Sequence, residues 1–311
     1  MTLHSNMEFN NLAEPFTHEE KTKSFLYLQE FLLDKMNKNE QFFIGRLSGN
    51  ETNLCGTVLS GKPIPMKLMN EMLLTAGIYM SSIDDIRQFV KLYCIACNNS
   101  SIMSIWSGGM YKQAKPFYDF LFKINPDKKR ICAQALEPYY FMNHVDYKYD
   151  NIYKNKKVLI ITSHKETTIK QLREQRDVYD KPIFDKSTQF HVYKPVQQHC
   201  GNNDDQSWTT HLATMQTELK ELNDKTHYDI ALVSCGGFGM ILSEYIYSEL
   251  KSSVIYVGGC LQLFFGIKGN RWKHDPVICG FVNEKWTSVL DEDKPPSLKG
   301  NSKICEGNCY W

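Results

Sequence analysis

Residues 45–51, GRLSGNE, bring an arginine (Arg46), a hydroxyl (Ser48), a glycine (Gly49), an amide (Asn50) and a carboxylate (Glu51) into one short turn. An arginine fork grips phosphate or carboxylate oxygens with paired N–H groups. A carboxylate beside it can take the proton of an attacking hydroxyl. A second stretch, SCGGFG at 234–239, sets Cys235 beside Gly236, Gly237 and Gly239, and the pair Gly258 and Gly259 follows the next apolar run. Glycines that lead into a helix let backbone N–H groups approach an anion. GIKGNRW at 266–272 adds Lys268 and Arg271 beside an indole, a grouping suited to a phosphate or carboxylate. Glu137, Tyr139 and Tyr140, in EPYY, can hydrogen-bond to and stack on a sugar or base, and His164 directly follows an apolar run. Each has a plainer reading as well. Glu51 can cap a helix, the glycines can serve helix–strand packing, the cations can lie in a solvated loop, and the tyrosines and His164 can be boundary and turn residues.

The segments between these motifs must place them. Apolar runs at 42–46, 102–106, 130–136, 158–162, 228–233 and 254–257, with a further short strand within 182–194, read as strands. Between them, helical spacing of apolar residues predicts helices at 21–36, 51–59, 66–74, 84–97, 117–124, 167–178, 207–222 and 240–250. This alternation predicts an α/β fold with a largely parallel sheet, or two such halves facing across a cleft, and flanking helices. Strand, glycine turn, helix and strand at 228–257 make the C-terminal half Rossmann-like, and ligands of such sheets bind at the carboxyl ends of the strands. Four regions follow: an N-terminal helical arm (1–40), an N-terminal α/β half carrying the arginine-to-glutamate turn (41–150), a C-terminal nucleotide-binding half (151–282) and an irregular tail (283–311).

Among 311 residues, 36 Lys and Arg nearly balance 35 Asp and Glu, so there is no basic field to hold nucleic acid. The start of the chain lacks a signal-peptide layout and no apolar run reaches membrane-span length, so a soluble cytoplasmic protein is expected. The 10 cysteines are scattered and read as reduced; Cys94 with Cys97, and Cys305 with Cys309, do not combine into a zinc-finger pattern. The glycine turn is not a full GxGxxG and no acidic residue ends the following strand, so a dinucleotide is not expected. A methyl donor there stays open.

GRLSGNE resembles the arginine-to-glutamate turn (R-x-G-D-G-E and variants) of glycosyltransferases with the GT-D fold and related uncharacterised bacterial and viral proteins. The likeness continues through ALEPYYF, KKVLIITSHKETTIKQLREQR and SWTTHLATMQTEL, and is most specific in YDIALVSCGGFG and VGGCLQLFFGIKGNRW, covering most of 42–272. It implies transfer of a sugar from a nucleotide diphosphate donor, such as a uridine diphosphate sugar, to a glycan or other hydroxyl acceptor. Arg46 and Glu51 match the motif's arginine and final glutamate and would be the catalytic pair. The other residues named above would hold the donor. The aspartate of the family's D-x-E metal motif falls on Gly49 here, so dependence on Mn or Mg is expected to be weak. The alternatives are a non-catalytic relative that binds a nucleotide sugar or glycan, and a methyltransferase using S-adenosylmethionine.

Overall fold

Strands β1 (Phe43–Arg46), β2 (Ile102–Ile105), β4 (Lys157–Thr162), β6 (Ile230–Ser234) and β7 (Ser253–Tyr256) are buried along almost their whole length, as strands covered on both faces must be. With β3 (Arg130–Cys132) and β5 (Gln189–Tyr193) they form one seven-stranded parallel sheet in the order β3-β2-β1-β7-β6-β4-β5. The computed structural model describes residues 9, 11–174, 177–196, 198–200, 204–298 and 310–311. Cys305 and Cys309 lie outside them. The alternative of two halves facing across a cleft does not hold, because β1 of the first half pairs directly with β7 of the second, Phe43 opposite Val254.

Helix positions follow from the right-handed rule for parallel crossovers. The crossovers β1→β2, β2→β3, β5→β6 and β6→β7 all run the same way along the sheet. Their helices α2 (Gly49–Leu59), α3 (Met66–Leu74), α4 (Ile83–Asn99), α5 (Gly109–Ile124), α7 (Trp208–Lys225) and α8 (Gly239–Ser248) therefore share one face. There they pack on Phe43, Met103, Leu159, Ile161, Val233 and Val254. The crossovers β3→β4 and β4→β5 run the other way. Their connections, three short 3-10 turns within 133–153 and helix α6 (Lys165–Glu174), cover the opposite face with α1 (His18–Asn37), on Ile44, Ile102, Val158, Ile160, Leu232 and Ile255. Neighbouring positions along each strand thus feed opposite cores.

Local signals set most boundaries. Thr17 and Glu20 form a reciprocal capping box on α1, and Ser82 caps α4 by accepting from the Asp85 N–H. α5 begins at Gly109, ahead of the expected 117, because Pro116 lies inside the helix and does not start it. The apolar run expected as one strand over 130–136 splits: β3 ends at Cys132 and Ala133–Leu136 is a 3-10 turn. Beyond the main sheet, β8 (Ile267–Lys268) pairs with β9 (Thr287–Ser288), and α9 (Pro276–Phe281) starts on an Asp275 cap. No described helix is long and apolar enough to cross a membrane.

Candidate functional site

At β1 the chain leaves for one face of the sheet and at the adjacent β7 for the other, which opens a crevice at the carboxyl ends of the strands. A pocket of ≈ 340 Å³ lies there. Its walls come from the ends of six strands: residues 46–51 after β1, Trp106 after β2, Ser163 and His164 after β4, Val196, Gln198 and His199 after β5, Ser234, Cys235 and Gly236 after β6, and Tyr256, Gly258 and Gly259 at the end of β7. Thr75, Ala76 and Gly77 after α3, together with Arg271, Tyr310 and Trp311, add to it.

Arg46 crosses the strand ends and is largely spent on the protein itself. Its Nη1 donates to the Val257 carbonyl and to Cys260 Sγ (3.0 Å), and its Nη2 pairs with Glu137 Oε1 at 3.2 Å. The guanidinium also lies 5.0 Å from the centroid of the Trp106 ring, whose Nε1 donates to the Leu47 carbonyl at 2.8 Å and so fixes the turn. Burial works against the Arg46 charge, but neighbouring Cys260 and Glu137 outweigh it and hold the arginine above its ordinary value. Cys260 is pushed up to about 12 by burial and is a neutral thiol at pH 7, so Glu137 is the countercharge. Burial raises the Glu137 carboxyl, while Arg46 and the Tyr139 hydroxyl, donating at 3.1 Å, pull it back.

Glu137, Tyr139 and Tyr140 therefore do not reach the pocket: Tyr139 is 1% exposed behind Arg46, and Tyr140 donates to Asp275 at 3.0 Å. The 3-10 turn after β3 directs them inward, where an open loop would have aimed them at a ligand. Lys268 also lies elsewhere, beside Trp272 and Trp286 in a separate apolar cavity. The pocket does bring together Arg46, Ser48, Gly49, Asn50, Glu51, His164, Cys235, Gly236, Gly258, Gly259 and Arg271.

The glycine turn serves packing. Gly236 has φ +56°, and a Cβ there would lie 2.6 Å from the Ala76 carbonyl oxygen. One on Gly237 would lie 2.5 Å from Ile78 Cγ1, and one on Gly239 would strike the Tyr256 ring at 2.1 Å. The Gly237 N–H donates to the Ala76 carbonyl at 2.8 Å, so of the three only Gly236 borders the pocket. Gly258, with φ +75°, leaves room for Arg46, whose Nη1 would sit 2.8 Å from a Cβ.

Glu51 occupies the first turn of α2, is 5% exposed and lines the pocket. Ser48 is the N-cap residue of α2, makes no side-chain capping bond and lines the same pocket. Asn50 donates to Thr75 Oγ1 within the same wall. His164 and His199 are both pulled down to about 4, by burial first of all, and are neutral imidazoles at pH 7. No group of three His, Cys, Asp or Glu suited to a metal occurs among the described residues.

Sequence reasoning missed Trp106, Ala76, Gln198, His199, Tyr256 and the pair Tyr310 and Trp311, all in the pocket wall. Most lie on loops with no local pattern. The one available signal was position, since 106 and 196–199 follow readable strands. Comparison with protein-family models, with curated proteins and with solved structures gives no match.

Proposed function

We propose that this chain is a glycosyltransferase that moves a sugar from a nucleotide diphosphate sugar, of the uridine type, to a hydroxyl of a glycan or other acceptor. The observation that carries this reading is the placement of Glu51: a buried carboxylate in a pocket over the strand ends, at the N-terminus of a helix, with Arg46 and Arg271 in the same wall. In the reaction the acceptor hydroxyl gives its proton to Glu51 as its oxygen bonds to the anomeric carbon. The bond from that carbon to the phosphate oxygen breaks, and the diphosphate leaves with the electron pair. The first-turn N–H groups of α2 and the Arg271 guanidinium would meet the charge that develops there. Arg46 acts here as a positioning residue, since its donors hold β7 and Glu137 in place.

Two observations weigh on the alternatives. The methyltransferase reading loses support because the space beside Gly237 and Gly239 is filled by Ile78 and Tyr256, so these two glycines offer a cofactor no backbone cradle. Binding without turnover is favoured by Gly49 and by the engagement of Arg46. Release of sugar from a panel of nucleotide sugars, with and without a glycan acceptor, separates a transferase from a binding protein. Thermal shift with the same panel registers binding in either case.

A further inference from the structure

Tyr310 and Trp311 reach into the pocket as a pair. The Trp311 ring lies against His199, centroids 5.7 Å apart and planes 14° from parallel, and His164 meets it edge-on at 4.7 Å and 64°. Next to it, Arg271 Nη1 donates to the Tyr310 hydroxyl and the guanidinium lies 5.2 Å from the centroid of that ring. Gly259 is needed for this arrangement, because a Cβ there would fall 2.2 Å from the Tyr310 ring. The two side chains therefore present a flat ring wedged against two neutral imidazoles and, one residue away, an oxygen held by an arginine.

A nucleoside diphosphate offers the same two features, a planar base and charged oxygens. An independent observation also points to a ligand. His164 is 6% exposed and lines the pocket, yet its Nε2 is buried without a hydrogen-bond partner among the described residues. Such an atom costs free energy until a donor reaches it, and the N–H of a base is a suitable donor.

We propose that the slot between His164 and His199 is a subsite for a planar ring of the ligand, and that Trp311, with Tyr310 on Arg271, fills it in cis when the ligand is absent. Naming that ring as a nucleotide base rests on the transferase reading; the slot itself does not. A tethered occupant has an effective concentration in the millimolar range, so it competes with any ligand that enters from solution.

The test compares the full chain with a chain shortened by residues 310 and 311. An amino-labelled fluorescent Tyr-Trp dipeptide is titrated by anisotropy, and uridine diphosphate is titrated by calorimetry and as a competitor. The shortened chain is expected to bind the dipeptide at least ten-fold more tightly than the full chain, and His199→Ala in the shortened chain to weaken that binding. Uridine diphosphate is expected to displace the dipeptide and to bind the shortened chain five-fold or more tightly. Equal dipeptide binding by both chains overturns the proposal. So does weaker nucleotide binding after shortening, since Trp311 would then be a wall of the site and not its occupant. Dipeptide binding that the nucleotide cannot displace supports the slot and refutes the nucleotide reading.

Discussion

Replacing Gly237 by valine separates a packing role from a ligand role for the glycine turn. The added Cβ would lie 2.5 Å from Ile78 Cγ1, 3.2 Å from Ile78 Cδ1 and 3.3 Å from the Ala76 Cβ, against an ordinary contact of about 3.4–4 Å. Ile78 is 1% exposed and the Gly237 N–H is tied to the Ala76 carbonyl at 2.8 Å, so neither side can move away freely. Overpacking of this kind costs about 1–3 kcal/mol, and the two γ carbons of valine put Gly237→Val at the upper end. At roughly 2 °C per kcal/mol for a chain of this size, the melting temperature should fall by about 4–6 °C. Gly109→Ala is the control: nothing lies within 4 Å of its Cβ and it sits in the first turn of α5, so stability should be unchanged or rise by about 0.4–1 kcal/mol. Scanning calorimetry on both variants, with nucleotide titration of each, provides the measurement. A Gly237→Val protein that melts with the parent but has lost nucleotide binding would refute the packing account and return the turn to the ligand.

Glu137→Ala removes the partner of a buried guanidinium and should cost about 3–5 kcal/mol in thermal or chemical denaturation, far more than loss of the exposed pair Lys115 and Asp119, which should cost under about 1 kcal/mol. His164 and His199 bind a proton at about 4 when folded and near 6.5 when unfolded, so the stability they confer is complete above pH 6.5 and is lost as pH falls toward 4. The loss is at most about 3 kcal/mol per histidine, and melting curves between pH 7 and 4.5 should flatten when both are replaced by glutamine. Removal of residues 310 and 311 should raise the His199 value toward 6.5, read from its ring resonances, because the indole stacked on it is gone.

Much of this molecule was legible because parallel strands covered on both faces leave unbroken apolar runs: β1, β4, β6 and β7 appear in the sequence within two residues of their true ends. The position of the crevice followed from the same alternation, and residues 46–51 line it. What failed was everything decided by side chains distant in the chain. The run 130–136 has strand composition throughout, yet Ala133–Leu136 turns inward and carries Glu137 and Tyr139 behind Arg46. The glycines at 236–239 look the same whether a phosphate or Ile78 approaches them, and only the fold distinguishes the two. His199, Tyr310 and Trp311 carry no periodicity or motif, and their meeting with His164 is a product of tertiary structure alone.

The transferase reading stands or falls on the carboxylate in the first turn of α2. Glu51→Gln keeps the shape and hydrogen bonding of the side chain but removes the proton acceptor, so the decisive measurement is sugar transfer from uridine diphosphate sugars beside donor affinity by calorimetry, for parent and variant. The account predicts turnover lower by roughly a hundred-fold or more with near-parental donor affinity. Parental turnover in the variant, or a parent chain that neither binds nor consumes any nucleotide sugar, would contradict it.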